Sequence, residues 1–265
     1  MALNSNCILE KQQAPIVENL LTRSAMYQIL SACFLYPTEQ NLEVLKNPDF
    51  QEHSKNLVRC YEGLDSGEEL KRCLDEVHKV YNNNASVETL RRTYSRIVGH
   101  TISKECPLYE TQYGAAHVFQ QVHELGDIQG FYKAFGLDVS DTEKERCDHI
   151  SVELEFMHFL LYKQAYALEN HGDEKVQVCM DAQRKFMKEH IGKWVPLFAV
   201  LFGRKAEEGF YCALSALTKE FLRLEMKLMD VNTEMFKESD LTQEMVAGAP
   251  DECLSCASSE DVELE

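Results

Sequence analysis

Glycine and proline are scarce in this chain, 12 and 6 of 265 residues, and tryptophan occurs once. Collagen-like and proline-rich chains are excluded, because they carry Gly and Pro at several times this frequency. Basic residues are also few: 27 Lys and Arg face 44 Asp and Glu, a formal net charge of −17. Phosphate backbones would be repelled, so nucleic acid is not an expected partner. No apolar run approaches the roughly 20 residues of a membrane helix; the densest, 194–202, has nine. Residues 1–15 show neither the basic start nor the apolar middle of a secretory leader, so the reading is cytoplasmic, with no membrane span. Phosphate-cradling glycine loops are missing too. So are internal repeats and the alternating pattern of strands.

What is present is helical periodicity in a chain that is 45% hydrophobic, long enough for a substantial core. The fold expected is all-α, a bundle of about ten helices. A mobile arm, 1–15, precedes a helix over 16–36 that Pro37 stops. Helices follow at 39–46 and 51–61, and another is marked by Leu70, Cys73, Leu74, Val77 and Tyr81, with a turn at Asn82, Asn83 and Asn84. Ser86 caps the next, whose inner face is Leu90, Tyr94, Ile97 and Val98. The stretch 99–116 breaks the rhythm and is long enough for a functional loop. Asp127 opens a compact helix closed by Gly136. A polar segment, 138–147, reads as a hinge between an N-terminal half, 16–137, and a C-terminal half, 148–230. In that second half Asp173 caps a helix, Pro196 forces a helix start or a kink, and Phe210 to Leu228 give a final amphipathic helix. From 231 on, ten acidic residues and one Lys make an acidic tail, expected to be mobile.

The ten cysteines are mostly dispersed at helical periods and read as small buried hydrophobes. Cys253 and Cys256 form a lone Cys-x-x-Cys in the tail, without the second pair that a zinc site requires.

The run 148–157, Asp-His-Ile-Ser-Val-Glu-Leu-Glu-Phe-Met, organises the chain. Ile150, Leu154, Met157, Leu161, Ala165 and Leu168 share one helix face; Val152, Phe156, Phe159 and Leu160 begin a second, which places this helix mid-bundle. Asp148 stands where an N-cap is expected, and His149 and Glu153 are one turn apart. Two readings are open: a cap with a satisfied histidine, or a polar recognition point over an apolar helix.

This run resembles the signature of the TorD/DmsD/NarJ chaperones, and most closely the TorD-like group. Pro107-Leu108-Tyr109-Glu110-Thr111-Gln112-Tyr113 is similar to that group's loop, His190-x-x-x-Trp194-x-Pro196 is a third match, and Arg23, Tyr27, Leu30, Phe34 and Pro37 resemble its first helix. The resemblance implies a chaperone, not an enzyme and without a cofactor of its own. Its implied partner is the apo form of a molybdenum-cofactor oxidoreductase, bound commonly through a twin-arginine signal peptide and held from export until cofactor insertion. Members occur as monomers and domain-swapped dimers, for which 138–147 is the natural pivot. The peptide-binding residues implied are Asp148, His149 and Pro107, with Tyr109 and Glu110 beside them and Tyr94 and Glu153 lining the pocket. Carboxylates at a groove mouth would take guanidinium groups, and apolar residues the rest of the leader. Where relatives carry an aromatic followed by Leu-Phe, this chain has Tyr94 and then Ile97-Val98, so the pocket differs in shape. The alternatives are a metal-dependent helical enzyme using His149 and Glu153, and a structural helical interaction protein.

Overall fold

The computed structural model describes residues 2–46, 50–64, 67–84, 86–99, 105–114, 118–138 and 145–241. Its elements are α1 (Ala2–Phe34), α2 (Glu39–Lys46), α3 (Phe50–Arg59), α4 (Glu68–Asn84), α5 (Val87–Val98), α6 (Val118–Ala134), α7 (Ile150–Asn170), α8 (Asp173–Phe186), α9 (Gly192–Ala206) and α10 (Phe210–Leu228). Short 3-10 turns add to these, and among the described residues strand pairing is limited to two isolated bridges. The all-α bundle expected from periodicity is the fold.

α7 is central because it is apolar on two sides. Ile150, Leu154, Met157, Leu161 and Ala165 are buried on one face and Phe156 and Leu160 on the other. α1 runs along it and α8 packs on its other side, while α10 packs against α4 and α9. Helices of the two expected halves thus contribute to one hydrophobic core. Each fully buried Leu, Phe or Met contributes about 1.5–3 kcal/mol relative to exposure. One buried polar joint crosses that core: Arg23 of α1 donates to both carboxylate oxygens of Glu225 on α10, at 2.6 and 2.9 Å, and Tyr61 donates to the same carboxylate at 2.6 Å. Burial opposes the charge on Arg23, but the Glu225 carboxylate outweighs it and keeps the guanidinium protonated. Arg23 entered the sequence reading only through resemblance; its partner lies 202 residues away.

Several boundaries differ from expectation. α1 begins at Ala2 rather than after an arm, with Pro15 inside it on the exposed side, where water can take the carbonyl that proline leaves unbonded. α4 continues through Asn82, Asn83 and Asn84 instead of turning there. α6 starts nine residues before Asp127; Val122 is 65% exposed, so those turns have no continuous apolar stripe to read. Ser86 does cap α5, accepting from the Thr89 amide. Asp173 is the first residue of α8, one position inside the cap, which is Gly172 at φ +83°.

Between α8 and α9 the helix widens into a π turn, Met187–Ile191. Gly192 ends it, donating its amide to the Met187 carbonyl. A side chain there would put Cβ 2.5 Å from that carbonyl oxygen, so the turn needs glycine. Pro196 is then accommodated inside α9, past the start that Gly192 makes. The first residues of the expected mobile tail are packed: Phe236 donates its amide to the Lys193 carbonyl, Thr233 its hydroxyl to Lys188, and Leu241 bridges to Tyr113. Residues 139–144 of the expected hinge, and the tail from 242 with Cys253 and Cys256, lie outside the described residues.

Candidate functional site

The loop 105–114 is stitched to the mouth of α7 by backbone. The Glu110 amide donates to the Asp148 carbonyl and the Ile150 amide to the Leu108 carbonyl, both at 2.9 Å, forming the Tyr109–His149 bridge. The Tyr113 hydroxyl closes the loop on itself by donating to the Pro107 carbonyl at 2.8 Å. This geometry places Pro107, Tyr109, Glu110, Asp148, His149 and Glu153 where the loop meets the first turns of α7. Tyr94 lies behind them, its hydroxyl donating to the Phe34 carbonyl at 2.9 Å and its ring close enough to Tyr109 and Glu145 for their charges to act on it.

The cap of α7 is His149, one residue later than expected. Its Nδ1 accepts from the Ser151 amide at 3.2 Å and lies 2.6 Å from the Ser151 hydroxyl. Burial lowers the His149 pKa, against an opposing pull from Glu145 and Asp148, and a neutral ring is what an accepting Nδ1 needs. His149 Nδ1 is thus engaged by Ser151, while Glu153 accepts from the Trp194 indole. A helix start uses the side chain of its cap to satisfy the first free amides, so the two side chains take different partners. Among the described residues, His149 and Glu153 belong to no group of three or more side chains with metal-binding geometry.

Asp148 instead fastens the loop. Its fully buried carboxylate accepts from the Thr111 hydroxyl at 2.8 Å, the Thr111 amide at 3.3 Å, and Arg146 through Nη2 at 2.7 Å and Nε at 3.0 Å. The guanidinium also donates to Thr111 Oγ1 at 2.8 Å and lies 4.7 Å from the Tyr109 ring centroid. Tyr109 in turn contacts the His149 ring edge-on at 5.2 Å and donates to Glu145 at 3.3 Å. Carboxylate, hydroxyl and aromatic face thus form a receptor for a guanidinium. The chain's own Arg146 occupies it, with 41% of its side chain exposed.

A second polar run lies deeper. The Trp194 indole donates to Glu153 at 2.9 Å. Glu153 is fully buried against Glu110, whose carboxylate oxygens both lie 3.1 Å from His190 Nδ1. Burial first, then the Glu110 charge, push the Glu153 carboxyl well above its ordinary range, which favours its neutral form. Trp194 also packs against Tyr113 at 5.1 Å between centroids. The three motif regions, far apart in the chain, therefore meet in one buried joint.

Arg146, Thr111 and Glu145 were missed as site residues, because nothing local distinguishes them from a polar connecting stretch. His190 and Trp194 were noticed only as a motif, and Trp194 could have been chosen as the chain's one tryptophan. Cys147, beside His149, is buried and its thiol is pushed up by burial, the opposite of an activated nucleophile.

These features define an all-α bundle with a loop latched across the mouth of its central helix and a guanidinium receptor at the surface of that latch. Residues 64–200, more than half of the chain, match the family described as nitrate reductase delta subunit, and the chain belongs to that family. It is 36% identical over 127 residues to the perchlorate reductase assembly chaperone protein of Dechloromonas aromatica, spanning 46% of this chain and 55% of that protein. It is 23% identical over 208 residues to the chaperone protein TorD of Aliivibrio salmonicida, covering 78% of this chain and 94% of that one. The chlorate reductase assembly chaperone protein of Ideonella dechloratans matches at 31% over 74 residues, 28% of this chain and 37% of that protein.

Proposed function

We propose that this chain is a cytoplasmic assembly chaperone that binds the apo catalytic subunit of a molybdenum-cofactor oxidoreductase, delaying export until the cofactor is in place. The similarity to several reductase assembly chaperones supports the chaperone role. One observation carries the recognition chemistry: the Asp148, Thr111 and Tyr109 cradle already holds a guanidinium, that of Arg146. A twin-arginine leader brings two such groups followed by an apolar stretch. A leader arginine would replace Arg146 in the cradle, exchanging one bidentate pair for another at little net cost in charge burial. Pro107, Glu110, His149, Glu153 and Tyr94 shape the support behind it. The loop and α7 would part to admit the leader, in a monomer or a domain-swapped dimer.

The test is calorimetric titration with twin-arginine leader peptides from molybdoenzymes of the same genome. Binding that weakens with salt, strengthens in Arg146→Gln and weakens in Tyr109→Ala is expected, with the protein's fold checked by circular dichroism. Absence of binding to every leader and to the matching apoenzyme would overturn the proposal.

A further inference from the structure

His190 is held at one ring nitrogen and unsatisfied at the other. Nδ1 faces the Glu110 carboxylate at 3.1 Å, which makes it the protonated nitrogen and leaves Nε2 with a lone pair. The residue is 3% exposed, and Nε2 has no hydrogen-bond partner among the described residues. It points into a cavity of about 340 Å³ between α6 and the π turn, lined also by Glu124, Asp127, Glu189 and Lys193. Asp127 Oδ2 lies 3.5 Å from Nε2. One ligand atom each from Asp127, Glu189 and His190 falls within 4.8 Å of the others. The π turn contributes here, since π turns recur at functional sites and this one contains both Glu189 and His190. Glu124 is one turn before Asp127 on α6 and borders the same cavity.

We propose that Asp127, Glu189 and His190 form a binding site for a first-row divalent cation of the zinc class. An imidazole lone pair with two carboxylates is a donor set for such ions, and the imidazole disfavours magnesium or calcium. Glu110 behind Nδ1 completes the carboxylate–histidine arrangement that orients a metal-binding ring and fixes its tautomer. Water or Glu124 fills the remaining position. The cation ties α6 to the π turn and so to the joint of Glu110, Glu153 and Trp194. This site shares no residue with the guanidinium cradle and does not depend on how a client is recognised.

The experiment titrates untagged full-length protein with Zn(II), and with Co(II) for its visible spectrum, in a Cys253→Ser/Cys256→Ser background so that the tail thiols cannot contribute. One saturable equivalent is expected, with a Co(II) spectrum lacking thiolate charge transfer. Asp127 and Glu189 are half and partly exposed, so Asp127→Asn and Glu189→Gln keep the fold. Each is expected to weaken Zn(II) binding about 10-fold or more. If no saturable equivalent binds, or if both variants bind as the parent does, the cluster is an ion pair around His190 only and the proposal fails.

Discussion

In an Asp148→Ala protein four hydrogen bonds disappear together: two from Thr111 and two from Arg146. Their consequences differ. Thr111 is 1% exposed, so its amide and hydroxyl lose their acceptor where water cannot replace it, costing about 1–3 kcal/mol. Arg146 already reaches solvent, and water takes up most of what it loses, so that pair adds only about 1 kcal/mol. The sum is about 2–4 kcal/mol, or roughly 5–15 °C in Tm for a domain of this size. Asp148→Asn keeps an acceptor for Thr111 and should lose about half as much. Urea unfolding followed by far-UV circular dichroism measures both. A midpoint for Asp148→Ala within about 1 kcal/mol of the parent, or equal losses in the two variants, would refute the latch. The same numbers bear on function: leader binding by Asp148→Ala has to be measured well below its lowered Tm, or instability will be mistaken for a lost contact.

Two further changes test the buried polar groups. Glu225→Ala strands the Arg23 charge in the core and should cost about 3–5 kcal/mol, whereas Arg23→Met with Glu225→Leu and Tyr61→Phe, which leaves neither charge nor hydroxyl unpaired, should return close to the parent; a triple variant no better than the single one would contradict this. For Glu153, facing Glu110, Asp148 and the Trp194 indole, the folded-state pKa is raised above the ordinary 4.5. The folded protein then binds a proton that the unfolded chain has released, so stability falls as pH rises from about 4.5 toward the folded-state pKa and stays lowered above it. Glu153→Gln still offers Trp194 an acceptor without that penalty. Its Tm relative to the parent should increase between about pH 5 and pH 8; parallel Tm curves would show that Glu153 does not titrate this way.

Leu154, Met157 and Leu161 declared α7 a central helix on periodicity alone, since a helix can bury two faces only by lying between others. Ser86 likewise announced α5, because capping is settled within three residues. Residue patterns gave no sign of strands, membrane-length apolar runs or phosphate loops, and three short motifs marked regions that meet at the mouth of α7. Those conclusions depend on neighbours in sequence, and the chain's local chemistry was enough to reach them. Tertiary structure decided the partners. Asp148 and His149 were recognised as a unit, yet which of them caps the helix was set by Thr111, 37 residues earlier on the loop, which together with the nearby Arg146 claimed the Asp148 carboxylate. Glu153 looked like a neighbour of His149 and became the partner of Trp194, 41 positions on. A buried charge or donor is satisfied by whatever the packed chain brings within about 3 Å, and that distance carries no trace in the order of residues.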